Sequence, residues 1–156
     1  MLHIREGKAD DAPSIARMIC DFNVEDDMPG RVDATVVTDL CFTPTSVYRA
    51  FVAEDGDRLV GYALVMRYFD TDPCAWSSYM QDLFVVPEHR SQGIGRRLIA
   101  SVAKAAVDQG RRDLVWHVRD QNKRGRAFYA AIGGEEQTAL MVTLGGDALQ
   151  ALAKGA

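Results

Sequence analysis

An apolar run, DLFVV (82–86), stops at Pro87, and the chain then enters a turn with two glycines, HRSQGIGR (89–96), from which a helical pattern departs. This junction limits the fold more than any other stretch, because it demands a strand feeding a helix through a short loop. Ile94, Leu98, Ile99 and Val102 recur at the spacing of one buried helical stripe that runs to about Gln109, and Gly110 ends it. The N–H groups that open such a helix have no partner within it and carry partial positive charge, which suits a phosphate or pyrophosphate. Glycine at 93 and 95 removes the Cβ atoms that hold a diphosphate away, and Arg90, Arg96 and Arg97 add mobile charge at the rim. A dinucleotide fingerprint is excluded because its third glycine is Leu98 here, and a Walker loop because Arg96 and Arg97 follow Gly95. Taken alone, the stretch is explained equally well as a tight turn with a solvated basic patch.

The flanking pattern places the junction in a mixed α/β chain. LHIRE (2–6) reads as a short strand. Asp10 or Asp11 can cap a helix whose stripe is Ile15, Met18, Ile19 and Phe22. A second short helix is expected over 33–42, ending before Pro44. VYRAFVAE (47–54) and RLVGYALVMRYF (58–69) form a hairpin around DGD at 55–57, and WSSYMQDLFVV (76–86) is a long fourth strand. RDLVWHV (112–118) reads as a buried fifth strand, 122–131 as a helix and TALMVTL (138–144) as a last strand, with a short helix after it.

Composition removes several classes of function. With 156 residues, 47% apolar and 26% charged, the chain fits one soluble domain covering 1–156. The longest apolar run, LVGYALVM (59–66), is too short to span a bilayer, and MLHIREGKADD reaches charge too early for a signal peptide, so a cytoplasmic protein with no membrane partner is expected. The net charge of −4 argues against a nucleic acid partner. Cys20, Cys41 and Cys74 form no CxxC pair and read as core fillers, and the histidines have no metal-ligand spacing, so no metal is expected.

The second informative stretch is NKRGRAFY (122–129). Asn122 and Tyr129 stand two helical turns apart and return to nearly one face. Asn122 can bond a ligand amide, and a phenol with a pKa of roughly 10 can give a proton to a departing thiolate. With both stretches in hand, RSQGIG (90–95) and Asn122…Tyr129 resemble the two cofactor motifs of the GCN5-related N-acetyltransferases, and the order of elements agrees over nearly the whole chain. VGYAL (60–64), YMQDLFVVPEHRSQGIG (79–95) and NKRGRAFY are most similar to the diamine (spermidine/spermine) and thialysine acetyltransferases. The resemblance implies a twisted, mostly antiparallel mixed sheet splayed between strands 4 and 5, with helices on both faces and acetyl-CoA as acyl donor. It implies that Leu83, Phe84 and Val85 pair their backbone with the acetyl-pantetheine arm. Arg90, Ser91, Gln92, Gly93, Ile94, Gly95 and Arg96 would hold the pyrophosphate, Asn122 the pantetheine side, and Tyr129 would protonate the thiolate.

One position departs from the family. The diamine enzymes have glutamate where this chain has Gln81, and glutamine cannot take a proton from an ammonium. Strand alternation places neighbouring Asp82 on the opposite face. Glu25, Asp26 and Asp27 lie where the family commonly builds its acceptor site, and Asp70 and Asp72 are further candidates, although each alone also reads as solvated loop. His117 reads more readily as a structural residue than as a base. The expected reaction is direct transfer of acetyl to a primary amine of a small diamine or lysine-like molecule. A peptide or protein amine as acceptor, and a silent acyl-CoA-binding module, remain the alternatives. Homodimers are common in the family, and one is expected here.

Overall fold

The computed structural model describes residues 1–155. The chain divides into two compact units, Met1–His117 and a second that begins at Val118. The first holds a five-stranded sheet whose order follows the sequence: β1 (Leu2–Glu6), β2 (Arg49–Asp55), β3 (Arg58–Asp70), β4 (Ala75–Val85) and β5 (Leu114–Val115). Neighbours from β1 to β4 are antiparallel, and β4 and β5 are parallel. Gly56, with φ of 61°, supplies the left-handed residue that the β2–β3 turn needs.

The helices α1 (Ala12–Glu25), α2 (Ala34–Cys41) and α3 (Ile94–Asp108) cover both faces, as the apolar stripes require. Val52, Tyr62, Leu64 and Phe84 form one buried cluster with Ile15 and Met18 of α1 and Val37 and Cys41 of α2. The alternate positions face α3: a Cβ built on Gly61 would lie 3.3 Å from Leu98 Cδ1. Asp33 caps α2 by accepting from the Val36 N–H at 3.0 Å.

Asp11, by contrast, does not cap α1 with its side chain. Its carboxylate turns back to accept from Arg5 at 2.7 and 3.0 Å and from the Lys8 N–H at 2.8 Å, and Arg5 also binds Glu54 of β2 at 2.9 Å. The residue is buried, and a buried carboxylate needs a cation more than a helix end needs a cap. Burial works to raise the Asp11 pKa, but the Arg5 and Lys8 bonds outweigh it and hold the carboxyl below its ordinary range.

The fifth strand is shorter than its apolar pattern suggests. Only Ser78↔Leu114 and Tyr79↔Val115 are paired, flanked by Arg112 N–H to the Trp76 carbonyl and Ser78 N–H to the Asp113 carbonyl, both at 2.9 Å. Val115 is exposed, so the expectation of a buried strand over 112–118 is corrected.

The second unit contains α4 (Lys123–Ala131) and α5 (Gly146–Ala153). Arg126 of α4 bonds Asp120 at 2.7 Å and Glu136 at 2.7 and 2.8 Å, tying both flanks to the helix. The expected strand over 138–144 is absent: Leu140, Met141 and Val142 are about nine-tenths exposed, and no described strand pairs with them. A β-rich pattern reports a surface able to pleat, whereas a strand also needs a neighbour to complete its ladder. Among the described residues no helix is long and apolar enough to cross a membrane.

Gly61 sets how closely β3 sits against β4 and α3. A Cβ there would stand 2.8 Å from the Phe84 carbonyl oxygen, a backbone atom that moves only if the strand moves. Gly61→Ala is expected to cost about 1–3 kcal/mol of stability, measured by urea unfolding followed by circular dichroism.

Candidate active site

The centre of the first unit is an edge that the sheet leaves open. β4 pairs with β3 along its length, through Leu83↔Ala63, Phe84↔Tyr62 and Val85↔Gly61 at its end. On its other side β5 accompanies it only as far as Tyr79. Beyond that point no described strand accompanies β4 on this side, and the N–H and C=O groups that face the split have no strand partner among the described residues. Such an edge can accept an extended amide-bearing chain as if it were another strand. This is the splay expected between the fourth and fifth strands, and Leu83, Phe84 and Val85 lie along it.

A bulge interrupts β4 within this segment. Leu64 is matched to Asp82 but Val65 to Met80, so Gln81 has no partner on β3. An extra residue of this kind bends the strand and twists its edge outward. Gln81 is exposed.

At the end of β4 the chain makes a short turn over Pro87–His89 and enters the loop. Ser91 has φ of 62° and Gly93 of 78°, both left-handed, and the Gly93 carbonyl accepts the first bond of α3, from the Arg97 N–H at 3.1 Å. The N–H groups of Ile94, Gly95 and Arg96 therefore precede the helical ladder. A Cβ on Gly93 would meet nothing within 4 Å, so the face in front of the helix start is open. Gln92 and Arg96 are exposed beside it, and Ile94 is buried and anchors the first turn. Open N–H groups at a helix start of this kind are suited to meet an anion.

Arg90 stands apart from its neighbours in the loop. Its Nε donates to the Val85 carbonyl at 2.7 Å, its Nη2 binds both oxygens of Glu25 at 2.8 Å, and its guanidinium lies 5.3 Å from the centre of the Phe84 ring. The side chain locks the end of β4 to the end of α1. Glu25 is committed to that lock, whereas Asp26 and Asp27 follow α1, with Asp27 left-handed at φ of 54°. Asp70 and Asp72 cluster at the far end of β3, where the Asp72 N–H bonds the Asp70 carboxylate at 3.1 Å.

In the second unit Asn122 caps α4: its Oδ1 accepts from the Gly125 N–H at 2.8 Å. That bond leaves the side-chain amide as the part able to meet a ligand. A Cβ at 125 would collide with this cap at 2.7 Å, which explains the glycine in KRGR. Tyr129, two turns on, is half-buried, and burial pushes its phenol above the ordinary value, so the hydroxyl keeps its proton at neutral pH.

Sequence reasoning missed two features of β4. The Tyr79 hydroxyl lies 2.7 Å from His117 Nδ1, at the closed end of the split. Asp82, three residues on, is largely withdrawn from water and accepts from the Tyr62 hydroxyl at 3.2 Å. The first contact was hidden because 38 residues separate its partners, and the second because the bulge breaks strand alternation. A cavity of about 220 Å³ lies elsewhere, bounded by Tyr48, Met66, the C-terminal residues Ala105 and Ala106 of α3 and Gln109 just past its end.

Comparison with known proteins gives this geometry a context. The sequence model described as the acetyltransferase (GNAT) family matches residues 13–133, which takes in β4, the glycine turn and the whole of α4. The chain belongs to the GNAT family. It is an N-acetyltransferase, an acyltransferase whose sequence is 32% identical over 148 residues to thialysine N-epsilon-acetyltransferase from Bos taurus, covering 86% of this chain and 85% of the other. In fold, this GNAT chain matches an integron cassette protein from V. cholerae with a TM-score of 0.83 at 21% identity over 98% of each chain. It also matches an aminoglycoside N-acetyltransferase in complex with CoA, with a TM-score of 0.78 at 18% identity over 92% of this chain and 93% of the other.

Replacing Gly93 puts a Cβ into a left-handed residue and onto the open face at once. Gly93→Ala is expected to lower stability by about 1 kcal/mol, read from urea unfolding. It is also expected to weaken CoA binding at least tenfold, read by isothermal titration.

Proposed function

We propose that this N-acetyltransferase moves the acetyl group of acetyl-CoA directly to a primary amine of a small diamine or lysine-like molecule. The observation that carries the reading is the continuous path from the unpaired edge of β4 to the open N–H groups at the start of α3. An acyl-pantetheine arm has amides to complete the edge, and a pyrophosphate has the charge to occupy the helix start. In this reading Leu83, Phe84 and Val85 hold the arm, and residues 91–96 hold the pyrophosphate. Arg90 acts through the shape of the loop, since its guanidinium is engaged by Val85 and Glu25. Asn122 offers its amide to the cofactor, and Tyr129 protonates the departing sulfur, a role that its protonated phenol suits.

The likeness to a thialysine acetyltransferase, covering most of both chains, supports a small lysine-like acceptor. We read 1–156 as a single N-acetyltransferase domain that acts as a cytoplasmic homodimer, with no metal, membrane or nucleic acid in its reaction. Sedimentation of the purified protein tests the dimer.

The primary test is thiol release from acetyl-CoA with thialysine, lysine, spermidine, putrescine, an aminoglycoside and short peptides. Turnover is expected with thialysine or a diamine. Tyr129→Phe is expected to lower kcat about 100-fold or more while leaving CoA affinity within threefold. Turnover confined to peptides would overturn the small-molecule acceptor, and an undiminished Tyr129→Phe would remove the proposed acid.

A further inference from the structure

The glutamine at 81 leaves the reaction without the carboxylate that an ammonium acceptor requires. An alkylammonium titrates near 10.4, so only a small fraction is free base at neutral pH. A site that binds the ammonium form must take a proton from it before nitrogen can attack the thioester carbonyl. The structure holds a carboxylate one residue further along the same strand, in a setting that surface aspartates do not share.

Asp82 reaches that setting through the bulge. Cross-strand partners share a face, so Asp82 lies with Leu64, and Tyr79 with Met66, on the side that α1 and α2 cover. Uninterrupted alternation would put Gln81 there and turn Asp82 away. The extra residue at 81 reverses this and brings Asp82 onto the face that carries Tyr62 and Tyr79.

The charges around Asp82 are lopsided. On β3 the Tyr62 hydroxyl donates to Oδ2 at 3.2 Å, and Oδ1 has no hydrogen-bond partner among the described residues. The other titratable groups that sense this neighbourhood are Tyr79 on β4, Tyr48 just before β2, Cys20 on α1 and Cys41 on α2. None of them is a cation, and no described lysine, arginine or histidine pairs with Asp82. Burial raises the Asp82 pKa, and the Tyr62 bond opposes this only in part. A carboxylate withdrawn from water without a positive partner is costly to keep, and a bound ammonium removes that cost.

We propose that Asp82 is the proton acceptor of the amine site: its free oxygen receives the substrate ammonium and takes one proton from it. The inference rests on the acetyl-transfer reading above. Asp82 lies on the unpaired part of β4, beside the residues assigned to the acyl arm, so an amine bound to it is close to the carbonyl it attacks. The step balances. One N–H proton passes to the carboxylate and later to solvent, and nitrogen forms the C–N bond as the C–S bond breaks. The second proton that nitrogen loses offsets the one that sulfur gains. Raising the carboxyl pKa by burial makes Asp82 a stronger base, and the Tyr62 bond favours its ionised form against that rise.

The test is the pH profile of kcat/KM with the best amine of the panel, for wild type, Asp82→Asn and Tyr62→Phe, with CoA affinity measured in parallel. Wild type is expected to show an acid limb where the carboxyl protonates. Asp82→Asn should lose about 100-fold or more in kcat/KM at neutral pH, recover as pH approaches the amine pKa, and bind CoA within threefold of wild type. Tyr62→Phe removes the bond that stabilises the charged form, so its acid limb should move to higher pH with the plateau retained. An Asp82→Asn enzyme within threefold of wild type, with the acid limb in place, would overturn the assignment. Should that variant fail to fold, an unmoved limb in Tyr62→Phe overturns it equally. A wild type that releases no thiol with any amine would instead bring down the acetyl-transfer reading, and this inference with it.

Discussion

The parting of β4 from β5 is the constraint around which the first unit is organised. Two residue pairs hold the strands together, and the chain then lets β4 run on with one side paired to no described strand. Unpaired backbone groups within a fold need partners, so a strand left in this way must be turned to solvent, covered or completed by something else. The sequence does nothing to blunt the edge between Met80 and Val85. It carries no proline there and no lysine, the devices that usually keep a free edge from pairing. The glycine turn follows at once and the bulge precedes it, so every local irregularity of β4 lies beside the same opening.

Two carboxylates of the first unit, one buried and one half-buried, find different counter-charges. Asp11 and Asp82 are both withdrawn from water, and the protein treats them oppositely. Asp11 meets Arg5 and the Lys8 N–H, and its carboxyl is held below the ordinary range. Asp82 meets only a tyrosine hydroxyl and is pushed the other way. The first arrangement ties β1, the start of α1 and β2 into one network. The second leaves an unbalanced charge on the face of the sheet beside the opening, which a structural role does not explain.

Much of the fold could be read from the residues. The stripes of α1 and α3, the Gly56 turn and the order of the first four strands follow from periods and breakers that act over a few residues. The 138–144 segment misled because apolar alternation registers the capacity to pleat and is blind to whether a neighbour is present. Asp11 misled because capping is a local rule, whereas its partner Arg5 is supplied by the fold. The glycine turn into α3 was legible because its requirements, glycine and a helix start, are local too. Asp82 was not, since one unpaired residue inverts the face of everything beyond it, and nothing in YMQDLFV marks where that residue falls. The Tyr79–His117 contact was hidden for a similar reason, as it depends on the parallel register of β4 and β5.

The pairing of Arg90 with Glu25 decides what kind of attraction the loop can exert. A free guanidinium attracts anions at a distance, and added electrolyte weakens that pull within about 10 Å at 0.1 M ionic strength. Here the guanidinium already faces a carboxylate at 2.8 Å, so its long-range field is largely cancelled by its own partner. What remains in front of α3 is the set of peptide N–H groups, fixed in direction and effective only at contact, with the exposed Arg96 beside them as the mobile charge. Salt therefore weakens only the share of the attraction that Arg96 supplies, while the peptide groups keep their hold and discriminate between anions that fit against the backbone and anions that merely approach it.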